Sequence, residues 1–365
     1  MIDRTNARRM AARALEVARA VALNGVVAFA LLSLVIAAGG HAVGPAMRAL
    51  WDGSFGSWYA LTSATLVRAV PLILAGLGVA LAFRAHVWNI GAEGQLLVGA
   101  TAAAIVALGA VHLLGAFTLP AALVAGAIAG ALWAGIAAVL RQRYGVLEVI
   151  STIMLNFLAA YLVGYLVRGP LQEPTHVYPQ SSDIAAIAQL PRLFPGSRAH
   201  WGLVLAFVAA PIVWWALART AAGFRVRAVG ANPEAAQSAG LIDAARTRTR
   251  AFLVSGALAG LAGAVQLTGV TFALYENLSP GYGFTAIAVA LLARLDALAV
   301  LLTAVLFAGL ESGALAMQRD AGIPAVTVSI VEGALILLAL AGAAGTRSGV
   351  LAMFRRAPAG IEDEA

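Results

Sequence analysis

The sequence predicts an all-α fold, a polytopic transmembrane helix bundle of about ten spans with both termini cytoplasmic. Three observations carry that prediction. Of 365 residues, 61% are hydrophobic and 11% charged, with a mean hydropathy of +0.89, too little polar surface to coat a soluble globule of this length. Apolar stretches of about twenty residues rich in Ala, Leu, Val and Gly recur along the chain, the length a helix needs to cross a bilayer, without the alternation of a barrel strand. The arginines segregate: only Arg48, Arg168, Arg192, Arg198 and Arg319 fall in segments that this threading puts outside, and most of the rest fall inside. Positive charge on the inner loops sets the orientation.

Residues 1–20 form a cytoplasmic segment with Arg4, Arg8, Arg9, Arg13 and Arg19, and the transmembrane domain covers 21–345. Val21 to Ala38 is the first span, its apolar run longer than the roughly 7–15 residues of a signal-peptide core. Residues 39–64 read as an interfacial loop with Trp51, Trp58 and Tyr59. Span two is Thr65 to Phe83, and a polar, glycine-punctuated link from Arg84 to Gln95 comes next. Spans three and four are Gln95 to Leu114 and Phe117 to Leu140, ending at Arg141 and Arg143, and span five is Glu148 to Val167. A loop with prolines at 170, 174, 179, 191 and 195 leads to span six, Trp201 to Ala218. Span seven is Ala251 to Val270. Phe284 to Ala293 is too short to cross unaided, so it is a half-helix or a re-entrant piece lining protein or a cavity. Ala297 to Met317 and Ile323 to Gly342 complete the domain, and 346–365 is a cytoplasmic tail. Gly126 with Gly130, and Gly256 with Gly260, have the spacing that lets helix backbones approach closely.

Residues 219–250 are the one long polar segment with internal order. Asn232 suits an N-cap, Pro233 the first helical position, Glu234 the first turn and Gly240 the left-handed ending. A short capped helix with Gln237 on it, held on a cytoplasmic loop, is suited to docking a partner or to lying on lipid headgroups through its flanking arginines.

The chain has no cysteine, and all 24 of its basic residues are arginine. Without lysine there is no Walker-type phosphate loop and no Schiff base, so ATP hydrolysis, if any, belongs to another chain. The histidines at 41, 86, 112, 176 and 200 are scattered, with no zinc pair and no nucleophile elbow. No catalytic site, metal or cofactor is expected, and the protein is not expected to be an enzyme. The net charge of +7 belongs to topology and does not point to nucleic acid.

Transport is the default for such a bundle. Asn89, Glu93, Gln95, Ser151, Asn156 and Gln266 are candidates for a solute path; for Asn89, Gln95, Asn156 and Gln266 the alternative is helix bridging, and for Glu93, as for Glu148, it is stabilising a helix N-terminus. A buried carboxylate such as Glu311 or Glu332 would suit a proton-coupled secondary transporter, the competing reading.

Three motifs carry a family resemblance: Asn89-Ile-Gly-Ala-Glu-Gly-Gln95, Glu148-Val-Ile-Ser-Thr-Ile-Met-Leu-Asn156, and Gly281-Tyr-Gly-Phe-Thr-Ala-Ile-Ala-Val-Ala-Leu-Leu-Ala-Arg294. In that order they resemble ABC transporter permeases, in the class paired with basic membrane lipoproteins that imports nucleosides, within the larger set of ribose-type sugar and branched-chain amino acid permeases. The resemblance covers roughly residues 65–345. Thr285 departs from it, standing where family members often carry an acid or amide. The resemblance implies a bacterial inner-membrane importer of a nucleoside or simple sugar. It implies a second permease subunit in a heterodimer, an ATPase with two nucleotide-binding cassettes and an extracytoplasmic solute-binding lipoprotein. Asn232, Pro233, Glu234, Gln237 and Gly240 would form the ATPase-coupling helix.

Overall fold

The computed structural model describes residues 26–27, 29–238, 243–331 and 333–334. The expected segments 1–20 and 346–365, the start of the first span, residues 335–342 of the last one, Gly240 and Glu332 lie outside the described residues. Among the described residues every regular element is helical, and extended backbone pairs only at two isolated bridges, Gln180 with Tyr275 and Arg192 with His200.

The helices in order are α1 (Phe29–Ala38), α2 (Val43–Ser54), α3 (Leu66–Arg84), α4 (Ala92–Gly109), α5 (Val111–Leu114), α6 (Thr118–Tyr144), α7 (Glu148–Val167), α8 (Gly202–Arg219), α9 (Ala221–Ala231), α10 (Pro233–Ser238), α11 (Ala244–Gln266), α12 (Tyr282–Leu292) and α13 (Ala297–Ala321). Wide π turns, Ala60–Thr65 and Leu267–Thr271, extend α3 at its start and α11 at its end. Seven helical stretches among the described residues are long and apolar enough to cross a membrane. Two further apolar helices, α1 and α12, are shorter.

Burial sorts the spans into two layers. The apolar window of α3 is 83% buried, whereas those of α6, α7 and α8 are 28% buried. The first is therefore the central helix, and the others turn large residues such as Leu132, Tyr161 and Trp215 outward. With lipid as apolar as a leucine side chain, close van der Waals packing holds such a bundle together. Gly126 and Gly130 of α6 lie directly against Gly256 and Gly260 of α11, and Gly99 of α4 meets Gly260, each so close that a Cβ would overlap the facing backbone. A Cβ on Gly78 of α3 would come within 2.7 Å of the Ser255 carbonyl oxygen.

Span five begins and ends where the sequence predicts, at Glu148 and Val167. Elsewhere local chemistry shifts the ends. Asp243 caps α11, its side chain accepting the Arg246 N–H at 2.9 Å, so the helix begins well before Ala251 and carries Arg246, Arg248 and Arg250. The expected interfacial loop 39–64 holds α2 and the opening of the α3 helix. The polar link after α3 folds back into the bundle: Asn89 donates from Nδ2 to Ser255 Oγ (2.8 Å), near the middle of α11, and α4 therefore starts at depth.

Candidate functional site

A polar cavity of about 670 Å³ lies between α3, α12, α13 and the segment joining α11 to α12. Its wall includes Ser63, Arg68, Arg198, Gln266, Thr271, Tyr275, Asn277, Tyr282, Thr285, Glu311 and Ser329. Arg68 and Glu311 bring opposite charges to one space, the Thr285 hydroxyl bonds the Glu311 carboxylate, and Arg68 is also tied to the Ala64 carbonyl (3.3 Å). Charged side chains at membrane depth face a bundle interior or a watery cavity, which is the arrangement here.

Backbone hydrogen bonds build the rim from the proline-rich loop. Ser181 N–H donates to the Leu274 carbonyl (2.8 Å), Ile184 N–H to Phe272 (2.8 Å) and Leu190 N–H to Thr268 (2.8 Å). The loop thereby straps the strand-like segment after α11. Arg168 at the end of α7 pairs with Glu276 at 2.7 Å on the same side. His200 sits beneath this rim with its ring against Gly202 and Gly269, its Nδ1 accepting the Gly202 N–H at 3.2 Å. Burial pushes its pKa down to about 4 from the ordinary 6.5, and the nearby Arg198 charge adds to the effect.

The half-helix α12 forms the deep wall. Its eleven residues span about 16 Å, half a hydrocarbon core. The Glu93 carboxylate, in the first turn of α4, accepts the Gly283 N–H at 2.6 Å, so two helix N-termini converge on one buried acid. Gly283 is required there, since a Cβ would collide with the backbone of Glu93. At its other end α12 turns into α13 through Arg294 and Leu295, both with positive φ (51° and 59°), and Asp296 caps α13 by accepting from Leu298 and Ala299.

The opposite end of the bundle carries the polar segment 219–250. Two helices stand there where the sequence showed one. Thr220 caps α9 by accepting the Gly223 N–H (3.0 Å), and Asn232 caps α10 by accepting the Ala235 N–H (3.0 Å). Val229, Ala236 and Ala244 form a small core of their own beneath them. Asn232, Pro233, Glu234 and Gln237 line a pocket of about 530 Å³ with Arg248 of α11. Gly240 lies outside the described residues.

Most of the other sequence candidates bridge helices. Asn89 and Gln95 bond each other (2.9 and 3.0 Å), and Asn89 also accepts the Gly91 N–H. Asn156 accepts the Gly94 N–H (2.8 Å) and donates to the Ile90 carbonyl (2.9 Å). Ser151 bonds back to the Glu148 carbonyl (3.1 Å) within its own helix. Glu148 starts α7 and pairs with Arg141. Gln266 lies on the cavity wall. Of the carboxylates singled out, Glu311 lines the cavity too. Sequence reasoning missed Arg68, although a lone arginine inside a span is itself a signal. It also missed Tyr282 and Asn277, which carry no such signal, and α9, whose Thr220 cap was legible.

A multi-span helical bundle with a charged, polar cavity toward one end and a capped helical platform at the other has the build of a membrane permease. The chain belongs to the family described as branched-chain amino acid transport system / permease component, matched over residues 61–340, and is a multi-pass plasma-membrane protein. It is 40% identical over 320 residues to the guanosine ABC transporter permease protein NupP of Bacillus subtilis (strain 168), across 86% of this chain and 89% of that one. It is 42% identical over 291 residues to the glucose ABC transporter permease protein TsgB13 of Haloferax volcanii, across 77% and 76%. It is 34% identical over 281 residues to the nucleoside ABC transporter permease protein NupB of Lactococcus lactis subsp. cremoris (strain MG1363), across 74% and 77%. No solved structure matches the chain.

Proposed function

We propose that this chain is the membrane-spanning permease subunit of an ATP-driven importer that carries a nucleoside, or otherwise a simple sugar, through the cavity bounded by α3, α12 and α13. The observation that carries the reading is that cavity. Its volume of about 670 Å³ lies within the roughly 300–1,000 Å³ of small-molecule sites, and its wall offers hydrogen-bonding partners on several sides. The relatives' guanosine, nucleoside and glucose permeases support the solute class.

ATP hydrolysis falls to a separate chain with two nucleotide-binding cassettes, since this one lacks the lysine a phosphate loop needs. That chain docks on α9 and α10, with Asn232, Pro233, Glu234, Gln237 and Gly240 as the coupling helix. The arginine distribution orients this end, and both termini, to the cytoplasm. A second permease completes a heterodimer and a solute-binding lipoprotein delivers solute at the strapped rim. Gln266 joins Arg68, Tyr282, Thr285 and Glu311 at the solute; Asn89, Glu93, Gln95, Ser151 and Asn156 hold the framework around it.

Uptake of labelled guanosine, adenosine, ribose and glucose into vesicles holding the chain with its partner subunits tests this. ATP-dependent uptake of a nucleoside or a sugar is the expected outcome. Uptake that needs no ATPase and collapses with an uncoupler would sink it, and would favour a proton-coupled carrier acting through Glu311 in the same cavity.

A further inference from the structure

The two ends of the molecule are joined by a short chain of direct contacts that meet at Arg84, the last residue of α3. On one side, Gly230 of α9 presses against the Arg84 carbonyl so closely that a Cβ would overlap it. On the other, Arg84 Nε donates to the Leu295 carbonyl at 2.6 Å. Leu295 sits in the turn between α12 and α13, a turn held with two non-glycine residues at positive φ and closed by the Leu295 N–H on the Ala290 carbonyl (2.8 Å). From there α12 runs about 16 Å as one rigid rod to Tyr282 and Thr285, which form cavity wall.

We infer that Arg84 is a positioning residue that links the platform helix α9 to the half-helix α12, so that displacement of α9 moves the deep wall of the cavity. This rests on the proposed function, because it supplies the route by which a docked ATPase would reach the solute. Three features support it beyond proximity. The contact to α9 is backbone against backbone, so it transmits displacement without side-chain slack. The contact to Leu295 is a charge-assisted hydrogen bond, stronger than a neutral one. The element moved is strained at one end, in a conformation that persists only where its surroundings impose it. At the other end the Glu93 carboxylate holds it through the Gly283 N–H. Held by polar contacts at both ends, α12 is the kind of rigid element through which coupling between distant sites is carried.

The test uses the full transporter and measures ATP hydrolysis, its stimulation by solute-loaded binding protein, and uptake, for wild type, Arg84→Ala and Arg84→Lys. Arg84→Ala is expected to assemble and to hydrolyse ATP at the basal wild-type rate. Its stimulation should disappear and its uptake per ATP should fall about tenfold or more, the scale of one charge-assisted hydrogen bond. Arg84→Lys, which keeps the charge and a donor, should recover part of that ratio. An assembled Arg84→Ala transporter with wild-type stimulation and uptake per ATP overturns the inference. Should Arg84→Ala not accumulate, Arg84→Lys decides: a lowered uptake per ATP supports the link and a wild-type ratio overturns it. Failure of the wild type itself to show ATP-dependent uptake would overturn the proposed function, and the Arg84 link with it.

Discussion

Replacing Asn156 with leucine separates a framework residue from a solute contact. Its side chain is 5% exposed and makes two hydrogen bonds to backbone groups at the start of α4, accepting from Gly94 and donating to the Ile90 carbonyl. Leucine makes neither, so one N–H and one carbonyl are left without partners in the interior. Each orphaned buried group costs about 1–3 kcal/mol by the soluble-protein scale. Measured polar contacts between membrane helices average nearer 0.6 and reach about 1.7 kcal/mol, because alternative partners are found. For two contacts the membrane scale gives a loss of about 1–3 kcal/mol, while the solute cavity, which Asn156 does not line, is untouched. Reversible unfolding of the purified chain in graded detergent mixtures reads the first quantity, and the KM for uptake by the assembled transporter reads the second. Lower stability with an unchanged KM is expected. Unchanged stability with a KM raised tenfold would refute the reasoning and put Asn156 on the solute path.

Three further outcomes rest on particular contacts. Gly130→Leu forces a side chain into the backbone contact of α6 with α11 and should cost about 1–3 kcal/mol or more in the same unfolding assay, whereas the exposed Gly145→Ala nearby is strained only by its left-handed φ and should cost less. His200 has its pKa lowered to about 4 from 6.5, so the unfolded chain takes up the proton first: stability is full above pH 6.5 and falls between pH 6.5 and 4, by at most about 3 kcal/mol. His200→Asn should flatten that part of the pH profile. Asn232→Ala removes the cap of α10, worth about 1 kcal/mol, and should speed hydrogen exchange at the Ala235 amide without changing exchange in α11.

Much of the candidate site was written in the chain. The capping set Asn232, Pro233 and Glu234 forms its helix because the signal is local, a side-chain oxygen and a backbone N–H three residues on. The glycine pairs of α6 and α11 were legible as close-packing positions, but only the fold shows that they face each other. The polar residues of spans three and five were legible as buried groups without a direction. A buried amide needs partners whether they come from solute or protein, and spacing does not tell the two apart; Asn89 bonds Gln95 and Ser255, and Asn156 bonds the Gly94 N–H and the Ile90 carbonyl.

Composition and local order were enough to establish a multi-pass helical membrane protein, the ends of span five, the capped helix at Asn232, an apolar stretch near Phe284 too short to cross unaided and the absence of a phosphate loop. Which polar groups share a space is a matter of packing in three dimensions. Arg68 and Glu311 lie far apart in the chain, and each alone is a charge with no evident place in a bilayer. They become a cavity because α12 stops halfway, its N-terminus held at depth by Glu93, and the gap it leaves is walled by α3 and α13. Membrane solvation dictates that charges within the spans face protein or water, but where that interior space opens is fixed by how the helices pack.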